Sequence, residues 1–516
     1  MAMNLNAATR KWSTLAICCL AYTVLSIDLT ALHLAIPQLV ADLNPSATQI
    51  LWIADGYGFA LAALLITMGW LGDRIGRKKL LLTGVGLFAA ASAITAYAHT
   101  PELLIGARVL LGVAGATIMP SCLSLVRNVF TDPKERTMAV GISSGVAGLG
   151  VGLGPVFGGA LLDHFWWGSV FLINVPIMAV IFVLGSVALP ESRDPRPGRL
   201  DVPSVLLSGA GIVGFVYTVK ELAAEGWAPE YAVTGLAAVA LLALFLRRQT
   251  RIASPLIDVR LFRLPAFSGS VGVNMFAMFA LVAQSLVFAQ YFQMVLGWSP
   301  WIAGVAGLPG ALGAMAGGAA LAPALITAIG RNRAIGVGMV LSAGSFVSYS
   351  FMGLDAHYWA LMFPTMIFGG MGIGVAMTVT SDTILASVPK DRAGAAAAIS
   401  ETATELGGAL GMALLGSVLN AAYRGGVEVP AGVTGPARDA VEDSLAGAFE
   451  AAGTLPSQLA GQAIAAARSA YVDGMHVTLY CSAVLALAAG VAAVFALRSV
   501  PKVIEAEDDE RELVAA

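Results

Sequence analysis

Along this chain, runs of about twenty apolar residues alternate with short breaks marked by charge, proline or glycine, which is the period of a polytopic helical membrane protein. Six runs centre near residues 24, 60, 88, 114, 150 and 179, and the polar segment Glu191 to Asp201 follows them. Two further runs cover about 203 to 221 and 230 to 246, and six more centre near 280, 313, 343, 370, 407 and 486. The pattern predicts an all-α integral membrane fold with fourteen spans. A six-helix bundle is expected over 1–190, linkers and two inserted central helices over 191–264, a second six-helix bundle over 265–500, and a tail over 501–516. The first run, about 25 residues from Trp12 to Ile36, is longer than the apolar core of a signal peptide and no cleavage pattern follows it, so it is expected to remain as the first helix.

Composition agrees with a bilayer environment, since 58% of residues are hydrophobic and only 12% charged. A net charge of −3 leaves no global basic field for nucleic acid. Local charge sets the orientation. Of the 29 basic residues, Lys220, Arg424, Arg438 and Arg468 fall in outer loops and Arg108 in a span, which leaves 24 for inner loops and tails. Both termini are therefore expected in the cytoplasm. The stretch Tyr423 to Asp473, with six acids against three arginines, lies outside as a solvated loop or a cap, with short helices suggested by its alanines. The tail beyond Pro501 is acidic.

Several spans contain residues that hydrocarbon does not tolerate without a reason. Between spans two and three, Gly69-Trp-Leu-Gly72-Asp73-Arg74-Ile-Gly76-Arg77-Lys78-Lys79 combines turn-permitting glycines with an acid beside a cationic cluster, a latch that can pair with a neighbouring helix end. Ile75-Gly76-Arg77 recurs as Ile329-Gly330-Arg331 at the end of span ten, as expected of duplicated bundles. Arg108 in span four needs a counter-ion, because an arginine at a helix centre costs at least about 2.5 to 3.5 kcal/mol. Asp28 and Asp55 are its two candidates. Span five, with Gly141, Gly145, Gly148, Gly150, Gly152, Gly154, Gly158, Gly159 and Pro155, presents nearly bare backbone that neighbours can approach, and the proline can bend it.

The acids within spans are Asp28, Asp55, Asp382, Glu401 and Glu405. Asp28 is expected in the outer half of span one, and Asp55 about one turn from the outer end of span two, where it can be hydrated. Asp382 is expected near the inner end of span twelve, capping or pairing with Arg392 or Lys390. Glu401 and Glu405 stand one turn apart on one helix face, so a proton and an organic cation can compete for the same carboxylate. Aromatic and thioether residues at Trp52, Tyr57, Phe59, Met275, Phe276, Met278 and Phe279 suit a greasy pocket, though none stands out as a ligand. Cys18, Cys19, Cys122 and Cys481 lie in apolar stretches, which argues against a disulfide framework. The five histidines are dispersed, so an embedded metalloenzyme is the poorer reading.

The loop beginning at Gly69 resembles the hallmark of the major facilitator superfamily, and Gly148-x-Gly150-x-x-x-Gly154-Pro155-x-x-Gly158-Gly159 is similar to the antiporter signature of its drug exporters. With Leu51-Trp-Ile-Ala-Asp55, Phe171-Leu-Ile-Asn174-Val-Pro176, Ser381-Asp382 through Pro389, and Ser400-Glu401 through Gly407, the resemblance extends to the fourteen-span drug:proton antiporter family, especially the quaternary-ammonium exporters. It implies two six-helix bundles with alternating access, proton or cation roles for Asp28, Asp55, Glu401 and Glu405, and assistance to proton transfer from Arg108. The expected partners are lipophilic cations, protons and the bilayer of a bacterial inner membrane, with no cofactor beyond the proton gradient and the single chain as the working unit. A narrow exporter of one metabolite or antibiotic is the alternative. Span ten contains no acid, unlike some of these pumps.

Overall fold

The computed structural model describes residues 6–193, 200–224, 226–252, 254–355, 358–389 and 392–502. Lys390, His357 and the acids of the tail lie outside the described residues. Among the described residues, fourteen helices are long and apolar enough to cross a membrane. The first eight are α1 (Ala7–Leu43), α2 (Ala47–Ile75), α3 (Arg77–Ala96), α4 (Pro101–Val129), α5 (Pro133–Leu162), α6 (Ser169–Ala188), α7 (Val202–Ala224) and α8 (Pro229–Gln249). Then come α9 (Pro265–Val295), α10 (Trp301–Ile329), α11 (Arg331–Phe351), α12 (Tyr358–Ala386) and α13 (Ala393–Gly426). Two short helices, α14 (Pro436–Asp443) and α15 (Leu445–Ala452), precede the last span, α16 (Ser457–Ala496).

Polar residues at the breaks start these helices. Ser46 and Gln49 form a reciprocal capping box for α2, and Thr100 and Asp132 cap α4 and α5, each followed by a proline at the first helical position. The turns from α2 to α3 and from α10 to α11 each pass through one glycine, Gly76 at φ 111° and Gly330 at φ 89°, where a side chain would be strained. These are the glycines of the repeated Ile-Gly-Arg. An even number of spans brings both ends of the chain to one side, here called the terminal end. Lys502 donates to the carbonyls of Thr327 and Ala328, and Lys11 pairs with Glu135 at 2.5 Å, so both chain ends sit on inter-helix turns of that side.

Packing between spans relies on small residues. A Cβ on Gly141 would stand 2.2 Å from the carbonyl carbon of Gly318, and one on Gly145 would meet Met315 at 2.5 Å, so α5 touches α10 backbone to backbone near the terminal end. The π-helical turn Gly317–Leu321 of α10 lies at this crossing, which adjusts the backbone locally. On another face of α5, Gly150, Gly154 and Gly158 follow one another at i, i+4 and i+8 and receive Ser26, Thr30 and Ala31 of α1. Gly148 and Gly159 face open space. In the second half, Gly407 and Gly411 of α13 meet the carbonyls of Met275 and Phe279 in α9. Those two residues thus serve helix packing through their backbone.

The central helices α7 and α8 pack on each other, and α7 also packs on both α2 and α13. Arg248 forks onto Asp201 at 2.6 and 2.7 Å, and this hydrogen bonding holds the Asp201 carboxyl well below the usual carboxylate range. The segment from Tyr423 to Asp473 is shorter as a connection than its composition suggests. Its first residues finish α13, and α16 begins at Ser457, sixteen residues before Asp473. Between them α14 and α15 form a packed cap, not a solvated loop: Val441, Leu445 and Ala448 are buried with Ala463 and Ala467 of α16, and the Tyr423 hydroxyl donates to the Val441 carbonyl at 2.7 Å. Alanine allows that packing because it presents apolar surface without bulk.

The crossing at Gly141 generates a prediction. Gly141→Leu is expected to destabilise the protein by about 1–3 kcal/mol or more through overpacking against backbone, whereas Gly148→Ala leaves stability near wild type. Thermal midpoints of the two purified variants check the contrast.

Candidate substrate and proton sites

Asp28 of α1 and Arg108 of α4 are fully buried, and the arginine donates from Nη1 to Asp28 Oδ2 at 2.8 Å. Asn174 of α6 donates to the other carboxylate oxygen at 2.8 Å, and Arg108 Nε donates to the Ile53 carbonyl at 3.1 Å. The guanidinium lies over Tyr57 at 5.0 Å and Phe171 at 5.8 Å from the ring centroids. Aromatic faces and a carboxylate together replace the water that the cation has lost. Of the two candidate counter-ions, Asp28 is therefore the one used. Asn174 carries no charge and stands in an apolar span, so apart from its place in the Phe171–Pro176 stretch its mark in the sequence is that of an odd polar residue.

Asp55 is bonded elsewhere. The ammonium of Lys220, from α7, forms a short ion pair with its Oδ1 and sits over Phe59 at 5.6 Å. Expected hydration at Asp55 thus gives way to a side chain from a distant span, placed there because α7 packs against α2.

Asp382 of α12 also has partners other than the expected ones. Arg136 of α5 donates to Oδ1 at 2.7 Å, Arg331 of α11 pairs with Oδ2 at 2.8 Å, and Thr137 donates to Oδ2 at 3.0 Å. Arg392 instead bonds Asp258 at 3.3 Å. The sequence distance of 246 residues between Arg136 and Asp382 hides the contact, which exists because α5 and α12 cross at the terminal end.

The same end carries the Gly69 loop. Asp73 accepts from Arg77 Nε at 2.9 Å and Nη2 at 2.6 Å, and from the backbone N–H groups of Gly394 at 2.9 Å and Ala395 at 3.0 Å at the start of α13. A carboxylate on a helix N-terminus is favoured by the exposed N–H groups and the helix dipole. Gly69 permits this meeting, since a Cβ there would lie 2.4 Å from that of Ala398. Gly72 leaves space beside Leu80, and Arg74 stacks over Trp70 at 5.3 Å. Arg127 of α4 adds hydrogen bonds to the carbonyls of Val388 and Pro389. Pro155 faces Gly304 of α10.

Glu401 and Glu405 differ from all of these. Tyr22 of α1 donates to Glu401 Oε1 at 3.2 Å. No lysine or arginine is bonded to either glutamate among the described residues, and both remain partly accessible. Asp28, Asp55, Asp73 and Asp382 each have a resident cation; this pair has none among the described residues.

Among the described residues, fourteen membrane-crossing helices, an Asp73 cluster joining α2 to α13 and a carboxyl pair with no bonded cation are the architecture of a membrane transporter. Residues 18–412 match the family model of the Major Facilitator Superfamily, and the chain belongs to that family; it is a transporter, not an enzyme. It is 42% identical to the multidrug efflux pump LfrA of Mycolicibacterium smegmatis over 481 residues, covering 93% of this chain and 95% of that protein. It is 36% identical to the methyl viologen resistance protein SmvA of Salmonella typhimurium, covering 91% and 95%. Among solved structures, the human organic anion transporter MFSD10 shares the fold at a TM-score of 0.59 and 14% identity, covering 94% of this chain and 99% of that one. Curated relatives are thus drug efflux and resistance transporters.

The buried Asp382 cluster yields a second prediction. Asp382→Ala leaves two guanidiniums without their carboxylate and is expected to destabilise the protein by about 3–5 kcal/mol. Arg392→Ala, at an exposed pair, is expected to change stability by less than about 1 kcal/mol. Denaturation of both variants in the same detergent separates them.

Proposed function

We propose that this chain is a proton-coupled antiporter that exports lipophilic, cationic drugs, dyes and quaternary ammonium compounds by alternating access. The observation that carries the reading is the Glu401/Glu405 pair, held between the bundles with no resident cation among the described residues. Burying a carboxylate in the bilayer is expensive unless it is neutralised, so the pair takes its neutralising charge from a proton or from a cationic substrate. Mutually exclusive occupancy couples the two fluxes. Tyr22 links Glu401 to α1, and Tyr57, on α2 of the same bundle, lies against Arg108 of the Arg108–Asp28 pair.

The basic loops favour the terminal end as the cytoplasmic one, in the inner membrane of a bacterium. Hydrogen bonds accepted by Asp73 from the second bundle, and donated to it by Arg127 and Arg136, gather at that end, so the described conformation has its cytoplasmic side latched. Inward opening breaks these bonds. The energy comes from proton entry, each charge crossing 100 mV being worth about 2.3 kcal/mol, and the single chain suffices. Methyl viologen, in the name of one relative, is an organic dication, which favours cationic substrates here.

Ethidium efflux from everted vesicles with an imposed proton gradient tests the proposal. Wild type is expected to move dye, and Glu401→Gln, Glu405→Gln and Asp28→Asn at equal expression are expected to reduce gradient-driven movement to the level of empty vesicles in at least one case. If wild type moves neither ethidium nor any other lipophilic cation of a panel, and none elicits proton flux, the multidrug reading fails in favour of one dedicated metabolite.

A further inference from the structure

Lys220 is an unusual partner for an intramembrane acid. The arginines at Asp28 and Asp382 are almost fully buried, anchored by several hydrogen bonds, and cannot leave without major rearrangement. The Lys220–Asp55 pair is about a third exposed on each side, 32% and 28%, and the lysine makes one point contact through a flexible stem. Such a contact is exchangeable.

Its position is equally telling. Gly69, which touches α13, and Asp55 are fourteen residues apart on α2, and at 100° per residue this returns to within about 40° of the same face. Asp55 therefore looks along the seam between α2 and α13, at the end opposite the Asp73 latch. Helix α7 lies across this seam: Lys220 bonds α2, and one turn later the carbonyl of Ala223 accepts from Ser417 of α13 at 3.4 Å. The ammonium sits over Phe59 at 5.6 Å, and Trp52, itself 44% exposed, packs edge-on to Phe59 at 5.8 Å. A carboxylate with an aromatic wall at the mouth of a seam is a recognition site for an organic cation. Here it is filled by the chain's own ammonium group.

We propose that Lys220 is a built-in competitor for Asp55, a specificity-determining residue that a lipophilic cation must displace to bind there. The inserted helix α7 thereby belongs to the substrate site. A weakly bound monocation loses the contest with the tethered ammonium, whereas a cation able to use both the carboxylate and the aromatic faces wins it. This inference rests on the proposal that the substrates are cations.

The test is equilibrium binding of ethidium, read by fluorescence, to the purified full chain in lipid nanodiscs. If Lys220 occupies Asp55 about nine-tenths of the time, its removal tightens apparent binding about tenfold. Lys220→Met and Lys220→Gln are thus expected to bind about tenfold more tightly than wild type, and Lys220→Arg no more tightly. In the Asp55→Asn background the Lys220→Met change is expected to have no effect, which a purely structural tether would not predict. Unchanged or weaker binding by both Lys220→Met and Lys220→Gln, with thermal midpoints like wild type, overturns the competitor role while leaving a dye-binding wild type, and the cationic reading, intact. Binding by neither wild type nor any variant overturns both.

Discussion

Every charge placed in the bilayer by this chain has to be met by another charge, a proton or water, and the arrangement of the helices follows from that requirement. Arg108 draws α1, α4 and α6 together through Asp28 and Asn174. Asp382 draws α5, α11 and α12 together through two arginines and Thr137. Stability alone does not account for these clusters, since apolar side chains of the same volume would pack as well or better. They do specify one arrangement, because any other leaves a buried charge alone. Glu401 and Glu405, with no cation bonded to them among the described residues, stand apart from that rule.

Close approach of helices is the second condition. Hydrocarbon supplies no hydrophobic drive for helices to associate, so contact depends on shape. Gly141 against Gly318 and Gly69 against Ala398 let the two bundles touch through backbone at the terminal end. Such contacts are dense yet contain few interlocking side chains, and surfaces of this kind can separate and re-form. Asp73 and Asp382 add polar bonds between the bundles at the same end. Among relatives, the drug efflux proteins match nearly the whole length of the chain, central helices included.

Much of this is legible in the order of residues. The fourteen spans follow from counting apolar runs, because the thickness of hydrocarbon sets the length of a crossing helix. A repeated tripeptide marks the turn glycines Gly76 and Gly330, and glycines at four-residue spacing mark the close face of α5, since both depend on local backbone geometry. The need of Arg108 for an acid is equally plain. Local composition leaves the region before α16 open between a solvated loop and a cap; its alanines suggest short helices, and the structure builds a helical extension and a packed cap.

What the linear order cannot decide is which charges meet. Asp28 and Asp55 are equal candidates for Arg108 along the chain, and only the packing of α1 against α4 and of α2 against α7 separates them. Asp382 has basic residues close by in sequence, yet its partners are Arg136 and Arg331, brought from 246 and 51 residues away. The physical reason is one of range. Hydropathy, caps and turns act over a few residues and are written locally, so the sequence by itself determined the spans, their ends and the list of residues too polar for the membrane. Ion pairs act across space, so the tertiary structure alone decided which of those residues neutralise one another and left Glu401 and Glu405 without a cation among the described residues.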